Sequence, residues 1–169
     1  NNGVINLKTG ELEEGDKNEI NTIYIPHDYD PDPEYSPRID EFFKELSNGD
    51  IIKMEFLYQI VGYCLLKENR YHKFFVLQGS GGTGKSTYTN LIQELVGSHN
   101  CSNVSLSDMD KDYYLASMVG KLVNIDDDVE GKALNYTGRF KSMVSGEIIS
   151  VREIYKPVEK HKPFATLIF

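Results

Sequence analysis

The stretch KFFVLQGSGGTGKST, residues 73–87, decides the fold expected for this chain. Its residues 74–77 are a short run of apolar β-forming side chains, which predicts a central strand covered on both faces. The residues that follow match the pattern G-x-x-x-x-G-K-[ST], whose fixed positions are Gly79, Gly84, Lys85 and Ser86. A strand, a glycine-rich turn and the start of a helix in this order indicate a phosphate-binding loop.

The residue types follow from what such a loop must do. Glycines let successive backbone N–H groups turn toward one anion, and the positive end of the following helix points at the same place. Lys85 is expected to reach the β- and γ-phosphates, and the Ser86 hydroxyl to ligate Mg²⁺. The alternative, a plain glycine-rich turn, is disfavoured by the strand before it and the helix after it. The predicted nucleotide-binding residues are Gly79, Ser80, Gly81, Gly82, Thr83, Gly84, Lys85, Ser86 and Thr87.

Composition and charge set limits on the possible functions. A chain of 169 residues fits one domain, no apolar run is long enough to cross a membrane, and Cys64 and Cys101 indicate neither a disulfide framework nor a metal site. A reduced, intracellular protein is therefore the default expectation. The net charge of −8 argues against wholesale coating of nucleic acid. Residues 139–169, however, hold 6 basic and 3 acidic side chains, so this part is locally positive.

The chain divides into three predicted regions. Residues 1–37, with a short hairpin and four prolines, predict an extended arm or linker, and residues 38–72 predict a layer of two helices, the second capped by Asp50. Residues 73–169 predict the phosphate-loop core. Beyond the loop helix, the patterns predict a helix that is capped by Ser107 or Asp108 and ends at Gly120, and then a strand over 121–125. A helix over 130–144, interrupted at Gly138, and strands over 148–155 and 164–169 follow. Strands that alternate with helices favour an α/β three-layer domain with a mainly parallel sheet.

The sequence LVNIDDD, residues 122–128, supplies acidic groups at the end of a second buried strand. A phosphate loop needs a carboxylate near it to hold Mg²⁺, and the end of a neighbouring strand is where one can reach the metal. The alternative is an ordinary exposed acidic turn. Successive residues leaving a strand point in opposite directions, so Asp126, Asp127 and Asp128 cannot all face the metal.

Several segments resemble a known family when they are taken in order. They are NGVINLKTGEL, IPHDYDP, GSGGTGKST, GKLVNIDDD, FKSMVSGEIISVREIYKPVEKHKPFA and TLIF. Together they resemble the helicase module of phage and plasmid primase-helicases, a branch of superfamily 3 helicases within the AAA+ ATPases. The resemblance covers nearly the whole chain and implies a P-loop NTPase core of AAA+ type.

The resemblance implies roles for individual residues. The Gly79–Ser86 loop corresponds to Walker A. The Walker B acidic pair falls on Asp127 and Asp128, with Asp126 as the second choice, so that Lys85, Asp127 and Asp128 are the implied catalytic set. Ser86 and Asp127 are the implied ligands of Mg²⁺, with ATP as the nucleotide. The family's middle motif corresponds to Lys141, Gly146 and Glu147. In the family this motif is followed by a basic hairpin that contacts single-stranded DNA. The implied DNA-binding residues of the hairpin are Arg152, Lys156 and Lys160, with Lys156 and Lys160 in its turn.

The same resemblance implies an ATP-driven DNA helicase motor that works in replication of a phage or mobile element, in the cytoplasm of a bacterial host. The implied partners are single-stranded DNA, further copies in a hexamer-like ring, and a primase domain in the parent chain. The family's γ-phosphate-sensing asparagine and arginine finger are expected beyond Phe169, although Arg139 and Arg152 remain candidates for the finger. This chain alone is accordingly expected to bind nucleotide but to hydrolyse it weakly.

Two other functions compete with the helicase motor. A phosphate-loop kinase for a small molecule would need an arginine-rich lid over the phosphates, and the four arginines of this chain are spread out: Arg38, Arg70, Arg139 and Arg152. A non-catalytic assembly module would use triphosphate binding only to set contacts between subunits. Loss of DNA binding on changing the hairpin lysines would distinguish the helicase from both.

Overall fold

The computed structural model describes residues 2–15, 18, 20–127, 129 and 137–169. An antiparallel hairpin opens the chain, with β1 at Val4–Ile5 and β2 at Leu12–Glu13, which confirms the predicted turn. Two helices follow, α1 at Pro37–Leu46 and α2 at Ile51–Tyr63. The Asp50 carboxylate accepts hydrogen bonds from the N–H groups of Ile52 and Lys53, as a helix cap does. The two predicted helices and the cap of the second are therefore confirmed.

The remaining elements form the body of the protein. They are α3 at Lys85–Val96, β3 at Cys101–Ser102, α4 at Asp112–Ala116, β4 at Val123–Ile125, α5 at Gly138–Ser145, β5 at Ile149–Val151, β6 at Glu159–His161 and β7 at Thr166–Ile168. The strands predicted over 121–125 and 164–169 are confirmed in shorter form as β4 and β7. The helix predicted from a cap at Ser107 or Asp108 to Gly120 is wrong in extent, because a 3₁₀ turn at Leu106–Asp108 precedes the short α4, which ends at Ala116. Residues 130–136 of the helix predicted over 130–144 lie outside the described residues.

A parallel sheet lies at the centre, with the strand order β3-β4-β7. The 74–77 segment continues this order beyond β7, through a parallel bridge between Phe75 and Ile168. The N–H groups of Phe75 and Leu77 donate to the carbonyls of Leu167 and Phe169 at 2.9 and 2.7 Å. All four strands therefore run the same way, which confirms the mainly parallel α/β sheet.

The prediction that the 74–77 segment is a strand covered on both faces is wrong. Phe74 is 43% exposed and Val76 is 64% exposed, whereas Phe75 and Leu77 pack into the core. The cause is the segment's position at the edge of the described sheet, where it pairs with β7 on one side. A short apolar run cannot by itself distinguish an edge strand from a central one.

Helices cover both faces of the sheet. On one face, side chains of α1, α2 and α3 pack on β4 and β7, with Phe43, Tyr88 and Ile92 at 1% exposure or less. The Tyr88 hydroxyl donates to the carbonyl of Leu57 at 2.7 Å and so joins α3 to α2. On the other face, α4, α5 and β5 pack on Leu167 and Phe169. Within the part of the chain described, no helix is long and apolar enough to span a bilayer.

The N-terminal arm lies against the C-terminal end of α3. The carbonyl of Tyr24 accepts from the Asn100 side chain at 2.6 Å, and the carbonyl of Glu94 accepts from His27 Nε2 at 2.7 Å. Gly97 ends α3 at φ 85°, and a Cβ atom there would lie 2.8 Å from Cδ of Pro26. The arm is thus held by contacts that depend on the absence of a side chain at position 97.

Candidate nucleotide-binding site

The glycine-rich loop leads from the 74–77 segment into α3, so the strand-turn-helix order predicted from the motif is present. Gly82 and Gly84 have φ values of 73° and 84°, in the left-handed region that glycine adopts without strain. Gly84 also lies against α1, because a Cβ there would approach Leu46 Cδ1 to 3.3 Å. The helical layer therefore supports the loop directly, and α3 begins at Lys85.

Lys85 lies inside the loop. Its ammonium group donates to the carbonyls of Gly79 and Ser80 at 2.8 and 3.0 Å and reaches Thr83 Oγ1 at 3.4 Å. Thr83 in turn donates to the carbonyl of Ser80 at 2.9 Å. Because a Cβ atom at Gly79 would lie 2.8 Å from Thr83 Oγ1, the curl of the loop requires glycine at that position.

The first turn of α3 is suited to an anion. The first N–H groups of a helix have no partner within the helix, and its dipole makes this end positive. No acidic residue lies in the first turn of α3, so no side-chain carboxylate competes for these groups there. Ser86 and Thr87 are exposed at this end, which leaves their hydroxyl groups accessible.

The acidic residues follow β4 at the same edge of the sheet as the loop. Since β4, β7 and the 74–77 segment are parallel, their C-terminal ends meet at one edge. Only β7 separates β4 from the 74–77 segment in the strand order. Two strand spacings amount to about 10 Å. Topology therefore brings the two segments to neighbouring positions at one edge of the sheet, although 38 residues, 88–125, lie between them.

The carboxylates after β4 differ in their surroundings. Asp126 is half-buried; its N–H donates to the carbonyl of Ile168 at 3.0 Å and its Oδ2 accepts from the N–H of Leu106 at 2.9 Å. Asp127 is exposed. Asp128, the other member of the predicted pair, lies outside the described residues. Asp126 therefore has a structural partner in the loop after β3, whereas Asp127 is open to solvent.

The predicted metal ligands, Ser86 and Asp127, are oxygen donors of the chemical type that magnesium takes. No group of three His, Cys, Asp or Glu side chains suited to a metal occurs in the described part of the chain. Magnesium usually takes one or two carboxylates together with substrate phosphates and water. The Ser86 hydroxyl and the exposed Asp127 carboxylate are donors of that kind, so the two predicted metal ligands suit the ion.

The basic hairpin consists of β5 and β6, which pair antiparallel with Ser150 opposite Lys160. Its turn carries Lys156, whose ammonium lies 2.5 Å from the Glu153 carboxylate; this hydrogen bond raises the pKa of Lys156. Arg152 Nε donates to the carbonyl of Lys156 at 3.2 Å. The prediction that the turn also holds Lys160 is wrong: Lys160 is an exposed residue of β6, because the ladder extends to His161.

Two features near the site were not predicted. Asn124, fully buried in β4, binds both backbone polar groups of Val104, so it aligns the loop that reaches Asp126. The sequence signal for this role is a single polar residue within the apolar run that forms β4. The second is Arg139, which pairs with Asp112 and thereby joins α5 to α4.

The fold and the loop define a class: a mixed α/β protein with a parallel sheet, whose glycine-rich strand-to-helix turn and acidic strand end share one edge. Residues 77–169 match the model of a family of unknown function, DUF5906, which covers more than half of the chain. The chain belongs to that family. Residues 1–48 also match the D5 N terminal like family.

A curated relative is the "Putative helicase L207/L206" of Acanthamoeba polyphaga mimivirus, 26% identical over 173 residues that include 96% of this chain. Among solved structures, the A form apo structure of the NrS-1 C terminal region superposes with a TM-score of 0.65 at 21% identity over 82% of this chain. A second apo structure of that region, residues 305–718, also has a TM-score of 0.65, at 19% identity. These structural likenesses confirm the fold.

Together with the D5 match, the viral relative and the structural likeness support a phage or viral primase-helicase family, which confirms the primase-helicase resemblance that the ordered motifs indicated. The chain spans 18% of the length of the viral relative and 33% of the first solved structure. It therefore corresponds to a limited part of each of these proteins.

Proposed function

We propose that this chain is the nucleotide-binding part of an ATP-driven DNA helicase motor, with a P-loop core of AAA+ type, that serves replication of a phage or mobile element. The observation that carries the proposal is the common sheet edge shared by the loop around Lys85 and the strand end at Asp126 and Asp127. The family resemblance and the viral relative's name support the helicase class.

The proposal assigns each group a task in nucleotide binding. The backbone N–H groups of residues 79–87 surround the phosphates, and the ammonium of Lys85 leaves the carbonyls of Gly79 and Ser80 to contact the β- and γ-phosphates. Ser86 and Asp127 would hold magnesium, which would supply charge neutralisation at the phosphates. Asp128 is the proposed residue that orients the attacking water. Asp126 maintains the loop at Leu106 and remains the second choice as a metal ligand.

The basic hairpin is the proposed contact with single-stranded DNA. Arg152, Lys156 and Lys160 bind phosphates, so that binding is independent of sequence and weakens with salt. Lys160 is exposed on β6, whereas Lys156 must first leave Glu153. Ring assembly with further copies, and a primase domain in the parent chain, complete the proposal for the whole protein.

Nucleotide binding is tested by titrating a fluorescent ATP analogue, with and without Mg²⁺, against purified protein. Lys85→Ala is expected to weaken binding at least about tenfold, because it removes the cation that faces the phosphates. Lys8→Ala, a change to an exposed lysine of the N-terminal hairpin, is the matched control and should bind as the unchanged chain does. Equal affinity of Lys85→Ala and the control would overturn the proposal.

The carboxylates are tested by the Mg²⁺-dependence of the same titration. Asp127→Asn is expected to remove most of the gain that Mg²⁺ gives, because it removes the charged ligand. Asp126→Asn keeps an oxygen that can accept from the N–H of Leu106 and should retain the gain. If Asp126→Asn loses the Mg²⁺-dependent gain and Asp127→Asn keeps it, Asp126 is the metal ligand. If the affinity of the unchanged chain for the nucleotide does not depend on Mg²⁺, the site does not bind Mg²⁺-nucleotide.

A further inference from the structure

The tip of the basic hairpin is apolar as well as charged. Residues 152–158 connect β5 to β6, and within them the Tyr155 side chain is 99% exposed, Ile154 68% and Val158 57%. Single exposed apolar residues are common on protein surfaces, but three within five positions at one loop tip form a small patch. The tyrosine ring therefore projects from the protein at the end of the hairpin.

The turn that projects this ring is ordered by its own contacts. The N–H of Lys156 donates to the carbonyl of Glu153 at 3.1 Å, and Arg152 Nε donates to the carbonyl of Lys156 at 3.2 Å. Tyr155 itself has φ 65°, a left-handed conformation that a bulky residue rarely adopts. The backbone is thus held in an unfavourable conformation while the ring remains in solvent, and such strain commonly marks a functional position.

The base of the hairpin is rigid. Ile149 and Val151 of β5 are 8% and 4% exposed and pack in the core with Met143 and Leu167. An aromatic ring on a short turn, attached to a buried strand, loses little conformational freedom when it binds a flat partner. This arrangement suits stacking rather than insertion into a deep pocket.

The charges around the tip indicate the partner. Residues 152–162 contain four Lys or Arg side chains and two Glu, in a chain whose net charge is −8. A partner of this surface must combine negative charge with flat apolar faces. Single-stranded nucleic acid has both, since its phosphates are anionic and its unpaired bases expose their faces, whereas a duplex hides them.

We propose that Tyr155 stacks on an unpaired base of single-stranded DNA, while Arg152 and Lys160 contact the flanking phosphates. The inference rests on the proposed function, and it adds a base contact to a hairpin assigned only phosphate contacts. Stacking is tolerant of sequence because every base has a π-face, so the contact is compatible with a motor that moves along any sequence.

The test measures binding of a fluorescent oligothymidylate by anisotropy over a series of salt concentrations. Tyr155→Ala is expected to weaken binding about 5- to 150-fold with the salt slope unchanged, because stacking releases no counterions. Tyr155→Phe keeps the ring and should bind as the unchanged chain does. Lys160→Ala is the comparison: it should weaken binding and reduce the salt slope by about 0.7. Since the Tyr155 side chain is exposed, thermal unfolding should show that both Tyr155 variants fold.

An abasic oligonucleotide of equal length separates the two kinds of contact. Tyr155→Ala should bind it as tightly as the unchanged chain, because no base is present to stack. Equal binding of oligothymidylate by Tyr155→Ala and the unchanged chain, with Lys160→Ala weakened, would overturn the stacking inference alone. If neither change affects binding, both the inference and the proposed DNA contact of the hairpin fail. A change in sedimentation without a change in DNA affinity would instead identify the tip as a contact between copies.

Discussion

The contacts of Asn124 lead to a specific prediction about what stabilises the end of β4, which Asp126 and Asp127 follow. Its side chain is fully buried: Oδ1 accepts from the N–H of Val104 at 2.8 Å and from Ser102 Oγ at 2.9 Å, and Nδ2 donates to the carbonyl of Val104 at 2.9 Å. Asn124→Leu, which keeps the branched arrangement of heavy atoms, would leave both backbone groups of Val104 without these partners. Val104 is itself only 3% exposed, so water cannot replace them without rearrangement.

The magnitude follows from those two backbone groups. An unsatisfied buried donor or acceptor costs about 1–3 kcal/mol, so the pair predicts a loss of about 2–6 kcal/mol, with about 3 kcal/mol expected after local relaxation. For a chain of this length that loss lowers the unfolding temperature by about 6–12 °C. Ser102→Ala is the matched control: it removes one hydroxyl partner of Asn124 and should lose less than about 1 kcal/mol.

The assay is urea unfolding followed by circular dichroism, combined with hydrogen exchange of the Val104 amide. Asn124→Leu should lower the unfolding midpoint and accelerate exchange at Val104, whereas Ser102→Ala should do neither to a comparable extent. A loss below about 1 kcal/mol in Asn124→Leu, or equal losses in the two variants, would refute the reasoning, because the Val104 groups would then be satisfied without Asn124.

Three further outcomes follow from the structure. Gly97→Ala should destabilise the chain by about 1–3 kcal/mol in urea unfolding, because position 97 has φ 85° and the new Cβ would meet Pro26. The control is Gly62→Ala, which should not destabilise the chain. At position 62 nothing lies within 4 Å of the added Cβ, and φ is not positive. Burial lowers the pKa of His161, so the unfolded chain takes up a proton at a pH where the folded state does not. The contribution of His161 to the unfolding temperature should therefore be constant above pH 6.5 and fall below it. His161→Phe should reduce this fall in unfolding temperature. The double change Lys156→Glu and Lys160→Glu should weaken the binding of single-stranded DNA and reduce the salt dependence of that binding, while nucleotide binding is retained. Unchanged DNA affinity would show that the hairpin is not the DNA contact.

The loop was predictable because its conformation depends on residues close together in sequence. Gly82 and Gly84 adopt positive φ values that glycine permits without strain, and α3 begins at Lys85. The cap of α2 was predictable for the same reason, since Asp50 acts on N–H groups two and three residues further on. Local chemistry of this kind does not depend on the rest of the fold.

Strand β3 could not be predicted, because long-range contacts create it. Cys101–Ser102 lies in a polar stretch that reads as a loop, and it becomes a strand by pairing with Val123 and Asn124 of β4. The exposure of the 74–77 segment was missed for a related reason: which strand lies at an edge is a property of the sheet order. Neither fact is encoded in the hydrophobic period of the segment itself.

Asp126, Asp127 and Asp128 all follow β4, and sequence and structure together bear on which of them binds the metal. Alternation along an extended chain requires Asp126 and Asp127 to point in opposite directions, but it does not say which of them faces the nucleotide. The hydrogen bond from the N–H of Leu106 engages one oxygen of the Asp126 carboxylate in the loop that follows β3. Asp127 is exposed, which is why we propose Asp127 as the metal ligand and keep Asp126 as the second choice. Rotating Asp126 toward the loop would break its bond to Leu106, and this is why Asp126→Asn is expected to leave the Mg²⁺-dependent gain in nucleotide affinity in place.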